Sequence, residues 1–230
     1  MMGVLPRSAQ KEIMDDVTIQ DGRLDEAFRE LSVINTWLGG NTTSRKGVKT
    51  LLKQKPPANT LSILDVGAGG SDIAQAISSV HSDIKITSLD LNKRACAYAA
   101  QANPSLTVVH GSVLDLPFHK QTFDIIHASL FLHHFTEQEL HHILPSLYST
   151  ARFGIVINDL RRSLFAYLGI YLLTRLFSRS VMVKNDGPLS VRRGFTRSEL
   201  LRLCASLPSA SYTVQRTWAF RWLVCIVKLT

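Results

Sequence analysis

Residues 63–72 have the sequence Ile-Leu-Asp-Val-Gly-Ala-Gly-Gly-Ser-Asp, an apolar run that stops at glycines. The apolar run is typical of a buried strand that is covered on both faces of a sheet. The glycines permit a sharp turn and let a ligand approach the backbone without a Cβ in the way. A strand, a glycine turn and a helix in this order bind nucleotide-like cofactors at the carboxyl ends of parallel strands. We therefore predict a cofactor loop at residues 67–70.

Two carboxylates beside the glycines narrow the choice of cofactor. In the dinucleotide fingerprint G-x-G-x-x-G the third glycine would fall at position 72, where this chain has Asp72. Asp72 and Asp65 would both repel a diphosphate, but they suit a ligand that carries positive charge and no phosphate. S-adenosylmethionine, with its sulfonium and ammonium groups, is such a ligand, and we predict it as the cofactor. Asp72 has a second interpretation, as the N-cap of the following helix.

From residue 61 onward, short apolar strands alternate with helices. This alternation predicts an α/β fold with a doubly wound, mostly parallel sheet. A further helix at 196–206 begins with a capping box, Thr196 to Glu199, and two last strands should close the sheet as an antiparallel edge. The predicted strands are 63–66, 84–89, 106–110, 123–130, 154–158, 212–218 and 221–229, and the predicted helices between them lie near 71–80, 93–101 and 137–148.

Three motifs resemble those of the class I S-adenosylmethionine-dependent methyltransferases. Residues 65–70 are similar to the family's D-x-G-x-G-G motif, residues 111–118 to its G-D-x-x-x-L-P-F segment, and residues 127–135 contain the L-H-H of many small-molecule members. The resemblance covers about residues 61–229 and is greatest to the ubiquinone/menaquinone-type and natural-product enzymes. It implies a Rossmann-like sheet of seven strands whose last strand is antiparallel. Ser71 and Ser112 depart from the family pattern, which has a third glycine and an acid there.

The resemblance also assigns the residues that hold the cofactor. Asp90 ends the second strand and is expected to accept hydrogen bonds from two ribose hydroxyls, although it could instead cap the next helix. Leu91, Ser112 and Val113 are expected beside the adenine, and Ser129 and Leu130 beside the methionine part. The full predicted set is Asp65, Gly67, Ala68, Gly69, Asp90, Leu91, Ser112, Val113, Ser129 and Leu130.

The candidate catalytic residues follow the fourth and fifth strands. Methyl transfer needs a positioned nucleophile and, for a hydroxyl, a base that removes its proton. His133 and His134 are the candidate bases, with a purely structural histidine pair as the alternative. Asp159 could orient a histidine or accept the proton, or it could cap the following helix.

We predict no metal. Metal-dependent catechol-type methyltransferases have an Asp and an Asp-Asn pair at positions where this chain has His-His and Asn-Asp. His133, His134, His141 and His142 have no thiol or carboxylate partner at a metal-binding spacing. The three cysteines, at 96, 204 and 225, are too far apart to suggest a disulfide framework, which favours a reducing compartment.

The domain prediction places a helical cap at 1–57, built from helices at 12–38 and 43–54, before a methyltransferase domain at 58–230. Pro56 and Pro57 separate the two. Residues 161–195 form an insertion, with an apolar helix at 164–177 and a loop at 184–195, that should cover the substrate. An apolar helix there predicts a pocket for an aromatic or lipidic acceptor, or else ordinary packing. Its flanking arginines would also allow contact with a membrane surface.

The composition of the chain limits the possible number of domains, the binding partners and the cellular location. The chain has 230 residues, 45% of them hydrophobic, which is enough for one domain with a sizeable core. Its formal charge of +8 raises nucleic acid and anionic membranes as partners, but the cations are spread over residues 45–55, 161–179 and 192–202. The first 14 residues lack the apolar core of a signal peptide, and no run approaches the roughly 18 apolar residues of a spanning helix. We expect a cytoplasmic protein, in part peripheral to a membrane, that binds no nucleic acid.

The predicted reaction is O-methylation of a small phenolic or quinol-like molecule, such as a polyketide or a quinone precursor in secondary metabolism. C- or N-methylation of a similar ring is the nearest alternative, because carbon and nitrogen nucleophiles would use the same cofactor geometry. An RNA or protein methyltransferase would use the basic surface, but residues 127–135 lack the N/D-P-P-Y/F motif of amino-directed nucleic-acid enzymes. A non-catalytic subunit with the same fold is a further alternative. The sequence predicts no oligomeric state.

Overall fold

A computed structural model describes residues 5–55 and 60–229 of the chain, so the predicted boundary at Pro56 and Pro57 lies outside the described residues. The strands are β1 (Leu61–Val66), β2 (Ile84–Asp90), β3 (Thr107–His110), β4 (Phe123–Ser129), β5 (Ala151–Leu160), β6 (Ala210–Thr217) and β7 (Arg221–Lys228). The helices are α1 (Gly22–Trp37), α2 (Gly40–Gln54), α3 (Asp72–Ser78), α4 (Lys93–Ala102), α5 (Glu137–Thr150), α6 (Leu164–Phe177), α7 (Val181–Arg193) and α8 (Arg197–Ala205).

The seven strands form one sheet in the order β3-β2-β1-β4-β5-β7-β6. The first five strands pair in parallel, and β7 is antiparallel to both β5 and β6. The predicted α/β fold with an antiparallel last strand is therefore confirmed. The chain moves outward from β1 in one direction and then restarts at β4 in the other. Such a reversal opens a crevice at the carboxyl ends of β1 and β4, where ligands bind in doubly wound folds.

Helices cover both faces of the sheet because alternate side chains of its central strands are apolar on both sides. Leu64 and Ile126 point into a core with α5 and α8, whereas Ile63 and Ile125 point into a second core with α2 and α3. Helix α2 lies directly on β5, since a Cβ at Gly47 would come within 2.4 Å of a Val156 methyl group. The division of the chain at residue 58 stays a prediction.

Two sequence-based expectations about local structure were wrong. The N-terminal helix begins at Gly22 rather than near residue 12, because Asp21 caps it, and Ile13–Asp15 form a separate 3-10 turn. Residues expected as a loop at 184–195 belong to α7, which includes Pro188. Gly187 and Pro188 favour a turn locally, but burial of one side of this helix overrides that preference. Helix α6 has the predicted bounds, and within the described residues no helix is long and apolar enough to cross a bilayer.

Candidate functional site

A cavity of about 1120 Å³ lies at the carboxyl ends of the parallel strands. Its walls come from the loops after β1, β2, β3 and β4, from α1, α6 and α7, and from residues 7–17 at the N-terminal end. All ten predicted cofactor residues line this cavity, and so does the candidate base His133, while Asp159 lies behind it. The fold therefore brings the predicted residues of four separate loops to one place.

The glycine loop has the backbone conformation that its glycines permit. Gly67 and Gly69 have positive φ angles of 63° and 52°. A Cβ at Gly67 would lie 1.8 Å from the Phe131 ring, so no other residue fits there without moving that ring. Ser71 also has a positive φ, 55°, at a cost of roughly 1–2 kcal/mol that a glycine would not incur. Its buried hydroxyl donates a hydrogen bond to Ser88 Oγ at 3.1 Å.

Asp90 sits where β2 ends, beside the glycine loop. Its Oδ2 accepts from the Gly69 N–H at 2.8 Å, and its Oδ1 accepts from the Asn92 N–H at 2.9 Å. Burial raises the pKa of the Asp90 carboxyl. The N-cap of α4 is Asn92, whose side chain accepts from two backbone N–H groups, so the helix-capping interpretation of Asp90 was wrong. Asp90 lines the cavity, and a carboxylate oxygen can accept more than one hydrogen bond.

Asp65 is held by a buried chain of hydrogen bonds that the sequence did not reveal. His127 Nδ1 donates to Asp65 Oδ1 at 2.7 Å, and His127 Nε2 accepts from Ser44 Oγ at 2.8 Å. Ser44 Oγ in turn accepts from Asn158 Nδ2 at 2.9 Å. The order Ser-His-Asp is that of a hydrolase triad, but Ser44 and His127 are fully enclosed and cannot meet a substrate. The chain instead fixes the orientation of Asp65, which lines the cavity.

Asp72 is the first residue of α3, and Ser71 occupies the N-cap position, so the N-cap interpretation of Asp72 was wrong. Burial raises the pKa of the Asp72 carboxyl. Asn35 Nδ2 lies 3.5 Å from it, and Arg221 donates to Asn35 Oδ1 at 3.0 Å. Burial also lowers the pKa of Arg221 to about 10. Carboxylates of Asp65 and Asp72 thus both face the same end of the cavity.

The remaining predicted cofactor residues offer fewer polar atoms to a ligand than the three aspartates do. Ser112 Oγ accepts from the Leu114 N–H at 3.1 Å and so stabilises its own turn. Ser129 Oγ is buried and has no hydrogen-bond partner within the described part of the chain. Leu91 is half exposed, and Leu130 has a positive φ of 51° after β4.

His133 lies between two carboxylates. Its Nδ1 donates to Asp159 Oδ1 at 2.7 Å, and its backbone N–H donates to Asp159 Oδ2 at 3.2 Å. On the other side of the ring, Nε2 lies 3.5 Å from Glu12 Oε1, and neither of these atoms has a hydrogen-bond partner among residues 5–55 and 60–229. Burial alone would lower the pKa of His133, but the carboxylates of Asp159 and Glu12 outweigh burial and raise it to about 9.

Glu12 comes from an N-terminal strap, residues 7–16, that crosses the cavity. Asp15 of the strap accepts from His134 Nδ1 at 2.5 Å and from Arg193 at 2.6 Å. Asp186 of α7 accepts from the backbone N–H groups of residues 13 and 14. Glu12, Asp15 and Arg193 were not predicted from the sequence, because they belong to no motif and lie far along the chain from the residues that they contact.

Glu12, His133 and His134 place potential metal ligands within 4.8 Å of one another. The two imidazole rings are stacked, however, with centroids 4.3 Å apart and planes at 30°. In-plane lone pairs of stacked rings do not converge on one ion, and His134 Nδ1 is already engaged by Asp15. The cluster therefore fits proton transfer better than metal binding, and the absence of a metal requirement stays a prediction.

Known proteins were compared with the chain as a whole. Residues 63–154 match the model of a methyltransferase domain. An uncharacterized methyltransferase from Synechocystis is 29% identical over 102 residues, which are 44% of this chain and 47% of that protein. The chain thus matches about half the length of this curated relative.

Solved structures extend the similarity to almost the whole chain. The plantazolicin methyltransferase with S-adenosylhomocysteine is 15% identical with a TM-score of 0.66, over 95% of this chain and 99% of that one. Human N-acetylserotonin methyltransferase with S-adenosylmethionine is 18% identical with a TM-score of 0.67, over 97% and 60%. The magnesium protoporphyrin IX methyltransferase of Synechocystis, with bound S-adenosylmethionine, is 11% identical with a TM-score of 0.62, over 96% and 100%. At these identities the likeness concerns the fold, and together with the domain match it confirms the resemblance and agrees with the predicted cofactor.

Proposed function

Since the chain has the class I S-adenosylmethionine-dependent methyltransferase fold and a methyltransferase domain, we propose that it methylates a phenolic or quinol-like hydroxyl of a small molecule. The observation that carries this proposal is the shared cavity. Asp90 and the glycine loop line one part of it, and His133, backed by Asp159, lines another. A donor site and a candidate base therefore face the same enclosed space.

The cofactor end of the cavity fits S-adenosylmethionine. Asp90 offers two carboxylate oxygens to ribose hydroxyls, and Gly67 and Gly69 leave the room that a Cβ would fill. Asp65 and Asp72 supply negative charge for the sulfonium and ammonium groups, and they would oppose a diphosphate. When bound, the cofactor supplies a methyl group on a positively charged sulfur, which is already a good leaving group. Only the acceptor then needs help from the protein.

We assign that help to His133, with Asp159 as its positioning residue. Asp159 accepts the Nδ1 proton in a hydrogen bond and so leaves Nε2 of this cavity-lining histidine on the side of Glu12. A neutral His133 can then accept the hydroxyl proton of the acceptor through Nε2 as the new C–O bond forms. Glu12 Oε1, 3.5 Å from Nε2 and without a hydrogen-bond partner in the described structure, provides a second acceptor atom for the same hydroxyl. His134 stacks on His133 and holds the strap through Asp15.

The acceptor is expected to be aromatic or lipidic, because the part of the cavity beyond the histidines is mainly apolar. Ile170 and Leu173 of α6 and Val191 of α7 line it. The cavity volume of about 1120 Å³ exceeds that of most single-ligand pockets and leaves space for an acceptor beside the cofactor. A polyketide phenol or a quinone precursor has the required shape and chemistry.

Calorimetry with S-adenosylmethionine and S-adenosylhomocysteine tests the cofactor assignment. We expect Asp90→Ala to weaken binding by about tenfold or more, since two charge-assisted hydrogen bonds are lost. Asp115→Ala is the matched control, because this carboxylate follows the neighbouring strand β3 at the same edge but is exposed and does not line the cavity. Full-strength binding by Asp90→Ala, or no binding by the wild type, would contradict the proposal.

A second experiment tests the reaction. His133→Ala is expected to retain cofactor binding but to lose turnover on a panel of phenols and hydroquinones. NMR of the methylated product separates O- from C- and N-methylation. Normal turnover by His133→Ala would refute the assignment of the base, and a methylated carbon or nitrogen would refute the O-methylation proposal.

A further inference from the structure

Helix α6 is apolar over most of its surface. Its cavity side consists of Ala166, Gly169, Ile170 and Leu173. The rest of the helix leaves bulky apolar side chains in solvent. A helix that is apolar all round is normally buried on all sides or in contact with lipid, and an exposed patch of this kind marks an interaction surface. The exposed fractions are 70% for Phe165, 58% for Leu172, 73% for Leu176, 79% for Phe177 and 74% for Val181 just beyond the helix.

The sequence of this helix and its flanks is rich in cations. Between residues 160 and 185 the chain has five cationic side chains and no carboxylate, although Arg162 is buried against Glu199 and the carboxylate of Glu30 in α1 accepts from the backbone N–H of Arg179. Arg175 and Arg179 are exposed on or beside the last turn of α6. Apolar side chains flanked by cations are the composition of helices that lie at the surface of anionic membranes.

Exposed aromatic side chains also lie at or beside residues that line the cavity. Trp218 and Phe220, in the turn between β6 and β7, line the cavity, and Trp218 is 74% exposed. Trp37 is 80% exposed and directly precedes Leu38, another cavity residue. Tryptophan favours the level of lipid headgroups, where an apolar ring and a polar N–H are both accommodated.

We propose that this docking face, the outer side of α6 with Trp37 and Trp218, rests on an anionic lipid bilayer and that the acceptor enters the cavity from the bilayer. The inference rests on the proposed function and names its substrate class, an amphiphile with a phenolic head and a hydrocarbon tail. The same helix separates lipid from cavity, so a tail can stay in contact with apolar surface while the head reaches His133. A bilayer suits the face better than a protein because the exposed side chains of Arg175 and Arg179 form no salt bridge within the described residues and remain available to anionic headgroups.

Vesicle sedimentation tests the proposal with the full chain. The wild type is expected to bind vesicles of phosphatidylcholine mixed with phosphatidylglycerol, and to bind phosphatidylcholine alone or the mixture at high salt more weakly. Phe165→Asp combined with Leu176→Asp should reduce binding by about tenfold or more, since two apolar anchors become anions. Leu229→Asp is the matched control: Leu229 is 56% exposed just beyond β7, at the amino ends of the parallel strands and so at the end of the sheet opposite the cavity, and its replacement should leave binding unchanged.

Cofactor calorimetry and turnover on a water-soluble phenol, measured on the same variants, separate failure of the membrane proposal from failure of the proposed methyltransferase function. Neither Phe165 nor Leu176 lines the cavity, so both readouts should survive the double substitution while turnover on a vesicle-embedded long-chain phenol falls. Absence of vesicle binding by a wild type that methylates soluble phenols would overturn only the membrane proposal. A dimer that dissociates in the double variant would assign the face to a second copy and also overturn it. Loss of cofactor binding by the wild type would refute the proposed function itself.

Discussion

Replacing Glu12 by Gln is expected to lower the pKa of His133 and to shift the pH dependence of methyl transfer toward neutrality. Only neutral His133 can accept a proton, so the rate of the wild type should rise with pH and level off above the pKa of about 9. Gln keeps the size of Glu but removes the negative charge that lies 3.5 Å from Nε2. The variant should therefore be active at a lower pH than the wild type.

The size of the shift follows from the surroundings of His133. Its pKa rises from the ordinary 6.5 to about 9 although burial opposes the rise, and Asp159 contributes more than Glu12. The net difference corresponds to roughly 3 kcal/mol. If Glu12 supplies the smaller share, its loss lowers the pKa of His133 part of the way back toward the ordinary 6.5. A unit charge at this distance contributes several kcal/mol even at an effective dielectric constant of about 20, so the Glu12 carboxylate is close enough to raise the pKa of His133 measurably.

The assay is the pH profile of kcat/KM on a soluble phenol, which reports the titration of the free enzyme. Asp16→Asn is the matched control, because Asp16 also lies on the strap but is exposed, and among the described residues its side chain accepts hydrogen bonds from Thr18 alone. It should leave the apparent pKa unchanged. An apparent pKa that is the same in Glu12→Gln and the wild type would refute the role of Glu12. A wild-type value near 6.5 would refute the entire account of His133.

The other two predictions concern parts of the fold that hold the cofactor loop. His127→Ala leaves the carboxylate of Asp65 buried without its partner, so we expect the free energy of unfolding to fall by about 3 kcal/mol and cofactor binding to weaken. Urea denaturation measures the first effect and calorimetry the second. His141 is exposed, so His141→Ala should change neither quantity. Gly67→Ala combines a positive φ with a Cβ 1.8 Å from Phe131, so it should reduce cofactor binding severely, whereas Gly22→Ala, with no atom within 4 Å of the new Cβ, should not. Unimpaired binding by Gly67→Ala would show that the loop tolerates a different backbone path.

Local signals in the chain were enough to predict the fold and the cofactor side of the cavity. The first, second and fourth strands end at or directly before Gly67, Asp90 and Ser129, so neighbouring residues mark where each of these strands stops. Predicting the strands therefore also predicts that these three residues meet at one edge of the sheet. Where local preference and burial disagree, as at Gly187 and Pro188 in α7, sequence-based prediction was wrong.

Residues that are distant in the sequence surround His133 and Asp65, and only the folded chain brings them together. Glu12 lies 121 residues before His133 in the chain, and Arg193 lies 178 residues after Asp15. Ser44 reaches His127 only because α2 packs closely on the sheet through Gly47. The amino-acid order therefore determined the strands, the glycine loop and the class of cofactor, since these arise from backbone conformation within a few residues. Tertiary packing alone decided the charge around the candidate base, because electrostatic effects depend on distances between groups that no local pattern relates.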